Sequence, residues 1–326
     1  MPKRAVLLLA HGTPETIEQI PDYLRNVVSG RPLPKHVIEE IKHRYSLIGR
    51  SPLTDITLEQ GRLLEAELAM EGIDAEVYVG MRNWKPYIPD VVRKMRADGV
   101  EEAAVICLAP QNSRTSVGLY KRAVQAEAGA LKIDFTEGWA QDPLLADAFA
   151  EKLREAEERL REEIGAYVPV LFTAHSVPCR TVQSATASEG QPKLWPGEGV
   201  DPYAQDAKTT AELVAQRVSE IPKWWFAFQS QGASGGPWIG PTVEDTLTGI
   251  ASDGVKTLLL QPIGFLCDHV EILYDVDIAF KAYASKLGVR LERPESLNAS
   301  PILARALSGL AKQGLARLEG SISPIS

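Results

Sequence analysis

Ala5-Val6-Leu7-Leu8-Leu9-Ala10-His11-Gly12-Thr13-Pro14 returns, past the middle of the 326-residue chain, as Pro169-Val170-Leu171-Phe172-Thr173-Ala174-His175-Ser176-Val177-Pro178. Each is a short aliphatic and β-branched run closed by Ala-His-x-x-Pro. Apolar runs of this length bounded by turn residues read as fully buried strands, so both histidines should leave strand carboxyl ends. In open parallel sheets ligands bind at that edge. Two such edges facing one another would place two imidazoles in one cleft.

The echo continues. Asp98-Gly99-Val100 running to Leu108-Ala109-Pro110 reappears as Asp253-Gly254-Val255 running to Leu260-Gln261-Pro262. His11 to His175, Asp98 to Asp253 and Leu108 to Leu260 are separated by 164, 155 and 152 residues. Similar offsets with motifs in one order indicate two copies of a unit of half the chain. The expected architecture is α/β: two similar lobes, 1–164 and 165–326, each a mostly parallel four-stranded sheet flanked by helices, with the active-site cleft between them. The last helix, near 299–318, is free in this scheme to pack back on the first lobe.

Composition suits a two-lobed enzyme and excludes several classes. The net charge of −8 supplies no basic stripe for nucleic acid. Before His11 the apolar run is too short for a signal peptide or a spanning helix. The three cysteines, Cys107, Cys179 and Cys267, are scattered without a Cys-x-x-Cys pair, so neither a disulfide framework nor a zinc or iron–sulfur site is indicated. A cytoplasmic monomer without a permanently bound cofactor is the expectation.

Periodicity places helices near 16–29, 34–47, 55–70 and 143–163, and strands near 74–79, 103–108, 132–136, 168–173, 224–229 and 257–262. Two connections, 179–199 and 229–241, are too long for ordinary βα loops and read as lids or binding loops. The glycine-rich 232–237 matches neither the dinucleotide fingerprint nor the P-loop.

The densest chemistry follows the strand ending at Gln261. On a helix, Asp268, Glu271 and Asp275 would fall at i, i+3 and i+7 along one face. Helix capping plus a solvated acidic face would explain such a row. Its place on the ligand edge, near His175, favours a neutral imidazole opposed to carboxylates, a pairing that accepts protons and ligates divalent metals. His269-Val270-Glu271 also looks like half of a zinc-deaminase signature, but the Pro-Cys-x-x-Cys half is absent.

Five stretches in order, Tyr45-Ser46-Leu47-Ile48-Gly49-Arg50-Ser51-Pro52-Leu53, Val79-Gly80-Met81-Arg82-Asn83-Trp84-Lys85-Pro86, Ala174-His175-Ser176-Val177-Pro178, Gly236-Pro237-Trp238-Ile239-Gly240-Pro241-Thr242 and 262–275, make the chain similar to the ferrochelatases over essentially its whole length. The resemblance implies two Rossmann-like lobes around a porphyrin cleft, and insertion of ferrous iron, as substrate, into protoporphyrin IX or coproporphyrin III in heme biosynthesis. By matching positions His175 resembles the metallation base or metal ligand and Glu271 its opposing carboxylate, with Asp275 next along the metal path. Arg44, Tyr45, Ser51 and Tyr120 look like porphyrin contacts. A flat apolar disc with carboxylate arms needs aromatic walls, for which Trp238 and Phe265 serve, and rim cations, for which Arg31, Arg50 and Arg82 are candidates.

Three departures leave questions open. His11 stands where the family often has tyrosine, methionine or leucine; it is an axial ligand, as the His-Gly of sirohydrochlorin chelatases suggests, or a turn-stabilising histidine. Val28 and Ser29 replace the paired arginines of the coproporphyrin-using branch, whereas 113–120 looks closer to that branch. Ala279 ends the acidic row early, which counts against a second metal site. A cobalt or nickel chelatase for a reduced tetrapyrrole, or a carrier without turnover, are the competing readings. Peripheral membrane contact through the lip at 47–53 is open.

Overall fold

The computed structural model describes residues 2–182, 201–231 and 236–320. Two four-stranded parallel sheets organise them. In the first, β1 (Arg4–Ala10), β2 (Glu76–Met81), β3 (Glu102–Cys107) and β4 (Lys132–Thr136) lie in the order β2-β1-β3-β4. The second repeats that order as β6-β5-β7-β8, with β5 (Val170–His175), β6 (Trp224–Gln229), β7 (Thr257–Pro262) and β8 (Arg290–Glu292). The two Ala-His runs therefore occupy the same slot, each paired on both sides. Strands covered on both faces can be apolar throughout, and Ala5 to Leu9 are indeed wholly buried.

The duplication reaches into the turns. Beyond β2 the Met81 N–H donates to the Pro86 carbonyl at 2.6 Å; the Phe228 N–H does the same to Pro241 at 2.8 Å. Both prolines follow cis peptide bonds, and each turn leads into a helix, Ile88–Ala97 or Val243–Ser252.

Between the sheets lie two long helices. Pro143–Ile164 is started by Asp142, whose carboxylate accepts from the N–H groups of Leu144 and Leu145, and stopped by Gly165 in the left-handed region. Pro301–Gly320 packs on β3, β4, the helix Leu53–Met70 and Pro143–Ile164. Its Gly314 lets the helix lie close on the sheet, since a Cβ there would come 2.8 Å from that of Ala104. Val6, Leu8, Phe149, Leu153, Phe172, Leu259, Leu307 and Leu315 belong to one continuous core. Each large aliphatic side chain buried there contributes about 1.5–3 kcal/mol, against about 0–1 for a surface ion pair. This layer is what joins the halves.

Some elements differ from the sequence expectation. The helix expected from 55 begins at Leu53, with Asp55 in its first turn and no side-chain cap. The region 16–29 is a 3₁₀ turn, Ile17–Gln19, leading into Ile20–Val27. β8 was not anticipated: three residues are too few for any periodicity to show. Of the two long loops, Cys179–Val182 forms a single helical turn, while 183–200 and 232–235, including most of the glycine-rich run, lie outside the described residues. No helix among the described residues is long and apolar enough to cross a membrane.

The helices Ile20–Val27 and Lys35–Ile48 leave the first sheet and fold over the cleft. Ile20, Tyr23, Leu24, Tyr45 and Trp84 form a separate apolar cluster there, and Val270 of the second half packs against it.

Candidate active site

β5 delivers His175. Phe172, Thr173 and Ala174 before it are fully buried, so His175 is the first residue of the strand to reach the cleft. The Tyr203 hydroxyl donates to its backbone carbonyl at 2.8 Å. Ring nitrogen Nδ1 is bonded to the Ser176 carbonyl, which can only accept, so Nδ1 carries the proton. The Nε2 lone pair is thereby left for a proton or a metal. It lies 3.4 Å from Glu271 Oε1, and each of the two side chains is 31% exposed. The rings of Trp238 and Phe265 stand 6.5 and 6.3 Å from the imidazole, centroid to centroid.

Glu271 sits between two imidazoles. Nε2 of His269, a residue that sequence reasoning passed over, is 3.6 Å from Oε2. His269 donates from Nδ1 to the Cys267 carbonyl at 3.0 Å, and its ring packs on Phe265 at 4.4 Å. The His-x-Glu spacing was the available signal, set aside once the deaminase motif failed.

Burial opposes ionisation of both partners, and charge wins in both. Desolvation works against the Glu271 carboxylate, but His175 and His269 outweigh it and hold the carboxyl well below its usual range. Desolvation also disfavours a charged His175, yet Glu271, the Ser176 carbonyl and Asp275 together raise its pKa. A base that gains a proton here is met at once by an anion.

The acidic row is not the expected α-helix. Glu271–Phe280 is a ten-residue π-helix, a rare form that gathers at functional sites. Asp268 lies before it and is turned to other work, its carboxylate bonded by Ser296 at 2.7 Å, Asn298 at 3.0 Å and Arg293 at 3.1 Å. Asp275 is 6% exposed; it accepts from the Ser230 hydroxyl, and from Arg44 at 3.1 Å. Burial, reinforced by the charge of Glu271, raises its pKa against the pull of Ser230, Arg44 and His175. Among the described residues no three His, Cys, Asp or Glu side chains form a set that could hold a metal ion. His175 and Glu271 are brought together; Asp275 is bonded elsewhere.

His11 leaves β1 under different conditions. The Tyr23 hydroxyl is 2.9 Å from Nε2, and the Asn83 amide lies 3.1 and 3.2 Å from the two ring nitrogens. Burial is the main cause that lowers its pKa to about 4; the charge of Glu271 acts the other way, while Arg82, His269 and His175 assist the lowering. His11 is a neutral imidazole at physiological pH. Burial also pushes the Tyr23 phenol well up, so it remains a donor. Asn83 belongs to the stretch from Val79 to Pro86, whereas nothing in the sequence marks Tyr23.

The expected porphyrin contacts divide. Tyr45 is 1% exposed, and its hydroxyl, with those of Ser51 and Thr13, has no hydrogen-bond partner among the described residues. Burial and the charge of Glu271 raise the Tyr45 pKa against the opposing contact with Ser51, so the phenol keeps its proton. The Arg82 guanidinium stands 6.0 Å from the ring centre of the buried Tyr120. Arg44 is engaged by Glu40 and Asp275, with its guanidinium 4.8 Å over Tyr274. The two outer rim candidates are exposed: Arg50 pairs with Asp55, and Arg31 donates to the Val28 carbonyl.

The profile of the family described as Ferrochelatase matches residues 3–315. A ferrochelatase of Acidobacterium capsulatum is 61% identical over 323 residues, covering 99% of this chain and 98% of that one. A coproporphyrin III ferrochelatase from a Geobacillus species is 33% identical, covering 94% and 96%. Among solved structures the sirohydrochlorin chelatase SirB of Bacillus subtilis, in its form with Fe3+, superposes with a TM-score of 0.57 at 13% identity over 98% of both chains, which shows the common two-lobed fold. The chain belongs to the ferrochelatase family of metal-chelating lyases.

Proposed function

We propose that this protein inserts ferrous iron into a porphyrin bearing carboxylate arms, protoporphyrin IX or coproporphyrin III, with His175 as base and metal ligand and Glu271 as the opposing carboxylate. One observation carries the reading: the Nε2 lone pair of His175, freed by the Nδ1 bond to Ser176, faces an ionised Glu271 at 3.4 Å. Pyrrole N–H groups are very weak acids, and two protons must leave as the metal enters. An oriented base within hydrogen-bonding reach contributes about 10²–10⁴-fold to such a step. The proton taken by Nε2 is stabilised by Glu271, and Asp275, with its raised pKa, is the next acceptor along the π-helix. Neutral His11 of the first lobe, held by Tyr23 and Asn83, lies within reach of the charges of Glu271 and His175.

The unpartnered hydroxyls of Thr13, Tyr45 and Ser51, and the half-buried Arg82, supply the donors that a carboxylate arm needs. A buried hydroxyl without a partner costs about 1–3 kcal/mol, recovered when an acceptor arrives. Trp238 and Phe265 give the flat apolar wall. The test is anaerobic metallation of protoporphyrin IX and of coproporphyrin III, with ferrous iron and with zinc. Turnover of at least one porphyrin, abolished in His175→Ala, is expected; failure to metallate either would overturn the proposal.

A further inference from the structure

We propose that Arg293 is a positioning residue for metallation, holding the turn before Glu271 and the π-helix after it in the register that sets Glu271 against His175; this rests on the role given to Glu271 above. Arg293 follows β8, with its side chain 13% exposed. Its Nε and one terminal nitrogen donate to the two oxygens of Asp277, on the π-helix, at 2.8 and 2.9 Å. That same terminal nitrogen is 3.1 Å from Asp268, three residues before Glu271, and the other donates to the Pro294 carbonyl at 3.1 Å. One planar guanidinium thus spans the segment that carries Glu271.

The span is anchored to the rest of the molecule. Asn298, in the left-handed region, donates to the Asp268 carboxylate and accepts from the Asp268 N–H at 2.9 Å. Its carbonyl accepts from Gln60 of the helix Leu53–Met70 at 2.8 Å. A π-helix competes with the α form, and here the α form resumes at Lys281. Where one gives way to the other depends on what grips the segment from outside. Arg293 grips it on both sides of Glu271 with a rigid fork that the single ammonium of lysine cannot reproduce.

The experiment compares metallation by the wild type, R293K, R293M, E271Q and the double variant E271Q/R293M, with D277N and E271Q/D277N as a second series that leaves Arg293 joined to Asp268. For R293M, kcat should fall about tenfold with the porphyrin KM within about twofold, and R293K should recover part of the loss. In the E271Q background the same change should cost less than about twofold, because the group it positions is already disabled. An unchanged kcat in R293M, or a tenfold loss that persists in the E271Q background, would overturn the inference. If R293M does not fold, D277N and its double variant decide by the same criteria. A wild type inactive on both porphyrins would instead refute the proposed function.

Discussion

His11 and His175 leave the ends of equivalent strands in two copies of one unit, yet their surroundings drive their protons in opposite directions. At the first, burial outweighs the charge of Glu271 and leaves an imidazole with a pKa of about 4, bonded to Tyr23 and Asn83. At the second, burial is opposed by Glu271 at 3.4 Å, and the pKa rises. Both sites are desolvated, so desolvation does not distinguish them. The carboxylate does. Duplication supplied two histidines; an acidic π-helix in the second copy raises the proton affinity of one of them.

The largest expected effect falls on the second copy alone. His175→Ala should lower kcat for iron or zinc insertion by roughly 10²–10⁴-fold, whereas His11→Ala should cost about tenfold or less in the same assay. Equal losses would restore the symmetry that the electrostatics deny. Next comes Glu271→Gln. Activity of the wild type should fall on acidification as His175, its pKa raised, takes up a proton and loses its lone pair. Without the Glu271 charge that pKa drops, so the acid limb of the kcat profile should move to lower pH while kcat falls by about 10²-fold. A limb that stays in place would separate Glu271 from His175.

Smaller effects appear in stability, and their signs differ between the copies. The lowered pKa of His11 means that the unfolded chain binds the proton first, so stability is lost as pH falls from 6.5 toward about 4, by at most about 3 kcal/mol. The raised pKa of His175 gives stability that is present below its ordinary pKa and lost as pH rises through the folded value. Urea unfolding near pH 5 and pH 7 should therefore show a smaller acid penalty in His11→Ala than in the wild type. Smallest is Gly12→Ala, next to His11. Gly12 has φ of +77°, and an added Cβ would lie 2.8 Å from that of Met81. A loss of about 1–3 kcal/mol is expected in the same unfolding experiment.

Much of this was legible in the chain itself. The Ala-His runs located the central strands of both sheets because strands buried on both faces must be apolar throughout, and the repeat offsets exposed the duplication. His175, Glu271, Trp238 and Phe265 were found together, as read. What escaped depends on partners distant in sequence or on local forms that leave no periodic trace. Ten residues of π-helix carry the same apolar and acidic residues that an α-helix would, so Asp268 was placed in a row it does not join. Arg44 reads as a porphyrin contact by resemblance, and its pairing with Asp275, 231 residues away, leaves no trace in the sequence. Tyr23, an ordinary core aromatic by pattern, acquires meaning only through its hydroxyl.

The helix Pro301–Gly320 has a consequence for biosynthesis. It fills the layer against β3 and β4, strands that leave the ribosome far earlier. At about 5–20 residues per second, the first sheet waits roughly 10–40 s for the helix that covers it. During that interval the apolar face around Ala104 and Ile106 is open to solvent, and the nascent amino-terminal half should be a client for chaperones until its last partner arrives.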